Sequence, residues 1–354
     1  MKTILYISPV KATFVTKDIA LLSTRYHLIF LADEWNRSFS IFVSALRQAF
    51  FLLKHTRKAT CIFVMFAGYW SFLPAIAGKL FRTPVYIILG GTDAVCFPFL
   101  DYGSLRKPLL AKFIKWSCQL ATKLLPVHES LIHYHYSYHP DSTFAEQGIK
   151  AFFPDVTTPY EAIYNGFDPS FFAPATEKKV KNTFVTVAMI HEKKRFLLKG
   201  IDLVFSLARE LPHCQFKLVG FSAKMLESTV APANVTLLPF LDQAAFVNIL
   251  DESRFYIQPS VSEGFPNSFC EAMLCNCIPI GSAVGAVPLI IGDTGIVFPN
   301  NSVPGALAQI KELLAYPEQQ LNELAEAARK RIATNFHLER RKEALLRLVE
   351  NDYP

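Results

Sequence analysis

The strongest constraint on this chain is a rhythm. Short apolar runs rich in Val, Ile, Leu and Phe alternate with stretches of helical periodicity. The first half carries "TILYISPV", "YHLIFLA", "CIFVMFAG", "PVYIILGG" and "KLLPVHE". The second carries "TFVTVAMI", "CQFKLVG", "NVTLLPF", "RFYIQPS" and "CIPIGS". Near-continuous apolar runs are strands buried on both faces, and strands separated by helices pair in parallel. Two such series in 354 residues predict an α/β protein of two doubly wound, Rossmann-like domains. The predicted units are 1–170, 171–335, and a closing helix over 336–354 that packs back toward the first domain. The junction is expected near "FAPATEKKVKN" (172–182), a charged stretch with a proline. Ligands of such sheets gather beyond the carboxyl ends of the strands, so the parallel sheets should face a ligand-binding interdomain cleft.

Other features narrow the class. Apolar residues make up 51% and charged residues 19%, with no internal repeat, as in a globular chain with ample core. The seven cysteines include no C-x-x-C pair, which points to reduced thiols in a cytoplasmic setting. "MKTILYISPV" reads as a first buried strand, not a signal segment. Residues 61–78 lack charge over almost a membrane-spanning length, but Gly68 and Pro74 divide them into strand, turn and helix. No G-x-G-x-x-G occurs, which disfavours a nicotinamide dehydrogenase. In "HYHYSYH" (133–139), His135 and His139 are placed on one helical face, without a third ligand close by, so no metal site is expected. Cys275 and Cys277 read as small buried residues.

The net charge of +6 lies wholly in the first half, where residues 1–170 hold 17 Lys and Arg against 11 Asp and Glu. In 104–125, Lys112, Lys115 and Lys123 fall near one helical stripe, with Phe113, Leu120 and Leu124 on another. Residues 44–58 add Arg47, Lys54, Arg57 and Lys58. These are either ordinary surface helices or a cationic face toward anionic lipid. No nucleic-acid-binding motif accompanies them.

The chemistry concentrates in "SEGFPNSFCEAM" (262–273). Pro266 suits the first turn of a helix over 266–275, and Gly264 permits close approach of a ligand. The free N–H groups of 267–269 would then favour a phosphate. Glu271 suits vicinal hydroxyls such as those of a ribose, and Glu263 a sugar hydroxyl. Two acids beside a diphosphate need a cation, and "HEKKRFLLKGIDL" (191–203) offers Arg195 and Lys199 from the opposite wall. A first-turn glutamate is also favoured by the helix dipole alone.

Taken together, "SEGFPNSFCEAM" resembles the E-x7-E signature of the retaining glycosyltransferases of family 4, the group 1 class with the GT-B fold. "IYNGFDPSFFAP" (163–174) is similar to that family's interdomain segment, and "LLKGIDLVFSLA" (197–208) to its phosphate loop. The resemblance implies a nucleoside-diphosphate sugar as donor and a glycan or lipid-linked acceptor in surface polysaccharide synthesis. It places Arg195 and Lys199 on the diphosphate, Gly264, Phe265, Pro266, Asn267 and Ser268 along it, Glu271 on the ribose and Glu263 on the transferring sugar. Asp93, in "ILGGTDA", stands where the family has His-Asp and would orient sugar or acceptor, or else serve a turn. The absence of D-x-D agrees with a metal-independent site and no cofactor. The family's Gly-Arg pair after the first strand of the second domain is missing, and Arg195 stands in for it. The Gly-Gly loop after the first strand is also missing, which leaves acceptor contacts unassigned, and "LLPFLD" (237–242) leaves the base unread. The expected location is cytoplasmic, peripheral at the inner membrane face. A GT-B epimerase and a non-catalytic nucleotide-sugar-binding subunit stay open.

Overall fold

The computed structural model describes residues 2–33, 35, 38–172 and 179–351. Its first sheet comprises β1 (Thr3–Ser8), β2 (His27–Ala32), β3 (Cys61–Met65), β4 (Val85–Leu89) and β5 (Lys123–Pro126). They are parallel in the order β2-β1-β3-β4-β5. The helices α1 (Thr13–Ser23), α2 (Ser38–His55), α3 (Tyr69–Phe81) and α4 (Pro108–Leu120) connect them. Every residue of β3 and β4 is buried, as strands covered on both faces require.

A two-residue ladder of β6 (Tyr134–His135) with β7 (Glu146–Gln147) and the short α5 (Ile149–Phe152) follow. The second sheet holds β8 (Val180–Ile190), β9 (Gln215–Phe221), β10 (Val235–Leu238), β11 (Ser253–Gln258), β12 (Ile278–Ser282) and β13 (Ile296–Phe298). These too are parallel, ordered β10-β9-β8-β11-β12-β13. Around them lie α6 (Lys193–Leu198), α7 (Ile201–Glu210), α8 (Ala223–Ser228), α9 (Gln243–Glu252), α10 (Asn267–Leu274), α11 (Val287–Ile291) and α12 (Val303–Leu314). Finally, α13 (Glu318–Asn335) and α14 (Leu338–Asn351) close the described chain.

All ten expected strands form. The sequence reading missed β13, too short to show as a run, and the β6–β7 ladder. Residues 61–78 divide into β3 and the start of α3, and among the described residues no helix is long and apolar enough to cross a membrane. Two expectations are corrected. Lys123 and Leu124 open β5 beside β4 rather than extending a helix, so the basic stripe of α4 ends at Lys115. His135 lies in β6 and pairs with Glu146 at 2.9 Å, while His139 lies in irregular backbone, so they share no helical face. The junction expected at 172–182 falls largely on 173–178, outside the described residues.

The two halves are joined by more than the linker. Phe167 and Leu338 exchange backbone hydrogen bonds across two crossing segments, with Phe167 N–H on Phe336 and Leu338 N–H on Phe167. Arg341 of α14 forms a bidentate pair with Asp18 of α1 at 2.6 and 2.7 Å, and also donates to the carbonyls of Ile163 and Tyr164. Phe265 from the second half is buried among Tyr164, Phe167 and Phe336. These contacts hold the loops at the carboxyl ends of both sheets toward each other.

Candidate active site in the interdomain cleft

In each sheet the strand order reverses once, between β1 and β3 in the first and between β8 and β11 in the second. Loops leaving such a pair diverge and open a crevice where ligands bind. The loop after β8 carries α6 and Lys199; the loop after β11 carries Glu263.

Local constraints bring these two residues together. Gly200 has φ 67°, and a Cβ there would stand 2.1 Å from the Pro259 carbonyl oxygen, so only glycine lets the α6–α7 corner rest on the β11 loop. The Val261 N–H donates to the Leu198 carbonyl at 2.8 Å and fixes that contact. Lys199 Nζ consequently reaches Glu263 Oε1 at 2.6 Å, with side chains 20% and 9% exposed. Predicted for a diphosphate, this lysine is paired with the neighbouring carboxylate.

A buried hydrogen-bond chain supports the pair. Gln258 Nε2 donates to Glu263 Oε1 at 2.6 Å and to Ser260 Oγ at 3.2 Å. The Tyr256 hydroxyl donates to Gln258 Oε1 and lies 2.9 Å from Ser268 Oγ. The run Ser268–Tyr256–Gln258–Glu263 is continuous, and the Tyr256 and Gln258 donors are oriented toward the carboxylate. Such a network fixes side-chain positions tightly, because each buried polar group is costly to leave unpaired. Glu263 Oε2 makes no hydrogen bond among the described residues.

Helix α10 begins one residue later than expected, with Pro266 at its cap (φ −74°, ψ 109°) instead of in its first turn. Its first N–H groups have no intrahelical acceptor. Asn267 is held by Asn165, whose Nδ2 donates to its side-chain oxygen at 2.8 Å. Phe265 turns its ring away into the aromatic cluster of the crossing segments, and its carbonyl accepts from Asn165 Nδ2 at 3.5 Å. Glu271 lies one turn beyond Ser268 and is half-buried, and its carboxylate makes no hydrogen bond among the described residues. Burial pushes its pKa up, and Lys17 of α1, across the cleft, partly offsets the rise.

Gly264 does permit close approach, but to the other domain. A Cβ there would stand 2.3 Å from the Gly90 carbonyl oxygen, and one on Gly285 would stand 2.0 Å from the Glu263 carbonyl oxygen. The stretch 263–264 is thus clamped between the β4 loop and the β12 loop. Asp93 holds the opposing side: Oδ1 accepts from the N–H groups of Gly90 and Gly91 at 3.1 and 2.9 Å, and Oδ2 from Ala67 at 2.9 Å. Burial raises its pKa against those three donors. Its immediate partners are backbone groups that shape the loop meeting Gly264.

Arg195 sits one turn before Lys199, its guanidinium 5.8 Å from the centre of the Tyr102 ring. The Tyr102 hydroxyl is 2.8 Å from Thr92 Oγ1. Arg195 also lines a cavity of about 180 Å³ with Arg106, Lys107 and Lys194. Thr92 and Ser104 connect this space to a larger cavity of about 890 Å³ in the first domain, walled by Lys11, Asp33, Trp35, Phe66 and Trp70. That larger cavity lies over the β1/β3 reversal. Lys199, Glu263 and Glu271 line neither of these cavities. Sequence reasoning passed over Gln258, Tyr256, Tyr102 and the aromatic walls. A glutamine ending an otherwise apolar strand was the one available signal.

The family model described as "Glycosyl transferases group 1" matches residues 181–316, from β8 to just past α12. No curated protein sequence matches the chain significantly. Among solved structures, the chain is similar to the sucrose-phosphate synthase of Thermosynechococcus elongatus, with TM-score 0.76 and 14% identity over 100% of this chain and 99% of that one. It is also similar to a glycosyltransferase from Rickettsia africae ESF-5, with TM-score 0.69 and 14% identity over 99% and 98%. A third is Anabaena HepE in complex with UDP and glucose, with TM-score 0.69 and 12% identity over 99% and 100%. At these identities the likeness speaks to architecture. The chain has the GT-B fold, and its second domain carries the match to group 1 glycosyltransferases.

Proposed function

We propose that this protein is a metal-independent retaining glycosyltransferase of family 4. It moves a sugar from a nucleoside-diphosphate sugar to a glycan or lipid-linked acceptor, in surface polysaccharide synthesis at the cytosolic membrane face. The observation that carries the reading is the Lys199–Glu263 pair at the β8/β11 reversal, tied through Gln258 and Tyr256 to Ser268 at the head of α10. In this reading the diphosphate docks between Lys199, Arg195 and the first N–H groups of α10. Lys199 then shares its charge between Glu263 and phosphate, Glu271 takes the ribose hydroxyls, and Glu263 Oε2 the transferring sugar. As the glycosidic bond breaks, negative charge grows on the leaving diphosphate, and these fixed donors stabilise it where it develops. The leaving phosphate itself accepts the proton of the incoming hydroxyl, so retention needs no protein nucleophile. Asp93 acts by holding the Gly90–Gly91 loop against Gly264.

The cavity of about 890 Å³ beside the cleft favours transfer over epimerisation, because an epimerase has no acceptor to house. UDP-, GDP- and ADP-sugars are first screened by thermal shift, since a bound donor raises apparent stability by mass action. The stabilising donor is then incubated with candidate acceptors and the product anomer read by NMR. Transfer with retained configuration supports the proposal. Inverted product, or a changed sugar formed from donor alone, overturns it.

A further inference from the structure

Helix α2 is built inside out for a surface helix. Its inward face carries Ser44 and Gln48, which are 8% and 1% exposed, beside Leu52. Its outward face carries Phe42, Leu46, Phe50 and Leu53, which are 64%, 57%, 72% and 65% exposed. At about 100° per residue these four fall within one stripe about 80° wide, flanked by the exposed Arg47 and Lys54. A helix on a water-facing surface places its apolar stripe toward the core. Here a buried polar pair seats the helix, since Gln48 Nε2 donates to the Trp70 carbonyl at 3.0 Å, and the large apolar side chains point away from the protein. Leu80 of α3, the helix packed beside α2, extends the patch at 69% exposure.

The charge around this patch is predominantly positive. Residues 35–128 hold twelve Lys and Arg but only two acids, Asp93 and Asp101. Asp33, just before this run, pairs with Arg47, so Lys54, Arg57 and Lys58 carry the excess beside the stripe. An apolar stripe bordered by an excess of cations is complementary to an anionic bilayer, into whose interface the apolar side chains sink while the cations meet headgroups. A protein partner would need an apolar groove ringed by acids alone.

We propose that α2 lies in the plane of an anionic membrane with Phe42, Leu46, Phe50 and Leu53 embedded, and that the first-domain cavity opens at that interface. This deepens the membrane part of the function proposed above and does not depend on the donor chemistry. The same helix contacts two residues of the cavity wall. Arg47 pairs at 2.9 Å with Asp33 of the cavity wall, and the Trp70 that Gln48 holds lines it beside Trp35, with ring centroids 6.5 Å apart. An acceptor whose lipid tail stays in the bilayer would present its headgroup to the aromatic walls over the shortest path.

All seven cysteines are buried, so a surface cysteine can be labelled selectively. Phe50→Cys and, as control, Val230→Cys on the second domain (90% exposed) are labelled with an environment-sensitive fluorophore. Each is mixed with phosphatidylcholine vesicles or phosphatidylcholine–phosphatidylglycerol vesicles. The position-50 probe is expected to shift to the blue on anionic vesicles alone, with the position-230 probe unchanged. Vesicle binding by Leu46→Glu/Phe50→Glu should be weaker by about tenfold or more. No shift at position 50 on anionic vesicles at low salt overturns the proposal. So does a concentration-dependent shift without vesicles, which would assign the face to a second copy, or equal shifts at both positions. Nucleoside-diphosphate binding, measured without vesicles, tests the donor site separately.

Discussion

The pairing of Lys199 with Glu263 leads to a prediction that separates the proposed chemistry from a structural ion pair. If Lys199 must share its charge with an incoming diphosphate, Glu263 competes with that ligand. Two unit charges about 4 Å apart at an effective dielectric of about 20 attract by about 4 kcal/mol before solvation is counted. For side chains 20% and 9% exposed, desolvation and screening leave a net of about 1 kcal/mol. Glu263→Gln keeps the shape and, by turning its amide, the hydrogen bond from Gln258, but removes the competing charge. Inorganic pyrophosphate, or the nucleoside diphosphate found by screening, should therefore bind about three- to tenfold more tightly to this variant. Sugar transfer should fall by at least about a hundredfold, because the carboxylate that holds the transferring sugar is gone.

Lys199→Ala should act in the opposite direction. It removes one charge-assisted contact, about 2–3 kcal/mol, and leaves Glu263 repelling the ligand, so affinity should fall by about thirtyfold or more. The double variant should recover part of that loss, giving a coupling of about 1 kcal/mol in a double-mutant cycle. Isothermal titration calorimetry on the four proteins reads all of this. Weaker ligand binding by Glu263→Gln, or unchanged binding by Lys199→Ala, would refute the idea that a diphosphate docks at this lysine.

Gly264→Ala places a Cβ 2.3 Å from the Gly90 oxygen, about 1 Å inside normal contact, so the β4 loop must retreat. Thermal unfolding should show a loss of about 1–3 kcal/mol, with turnover falling more than nucleotide affinity. Because burial raises the Glu271 pKa in the free protein, its carboxylate is partly protonated at mildly acidic pH and accepts ribose hydroxyls poorly. Donor affinity should therefore rise as pH climbs from the ordinary glutamate range through that raised value and then level off. Glu271→Gln should bind more weakly with a flat profile. Arg341→Met leaves Asp18 buried beside the Tyr6 hydroxyl alone and should cost about 3–5 kcal/mol in urea unfolding, with Asp18→Asn restoring part of it.

The strands were readable because a strand buried on both faces announces itself locally, in four or five consecutive apolar residues. The acids and the lysine were readable as residue types at suggestive spacings, but not as partners. Lys199 and Glu263 stand 64 residues apart, and only the adjacency of β8 and β11 makes them neighbours. Gln258 and Tyr256 were invisible as site residues because a strand inside a core hides which polar atom meets which. Gly264 shows a related limit. A glycine signals that something comes close, and the sequence does not say whether that is a ligand or, as here, the Gly90 carbonyl of the other domain.

Helix α2 carries the same argument one step further. Its sequence has apolar residues on both sides, so periodicity alone allows either side to face the core. Burial settled it in favour of Ser44, Gln48 and Leu52, because the Trp70 carbonyl at the rim of the cavity offers Gln48 a partner that solvent-facing packing would waste. Phe42, Leu46, Phe50 and Leu53 are left on the outer side. Substituting Gln48 by Leu should therefore make the inner face the more apolar of the two while leaving the outer stripe unchanged. If the outward stripe exists to meet a membrane, that variant should keep its vesicle binding while the Trp70 wall of the cavity loosens, seen as weakened acceptor use at unchanged nucleotide affinity. Loss of vesicle binding by Gln48→Leu would show instead that the orientation of α2 depends on that single hydrogen bond.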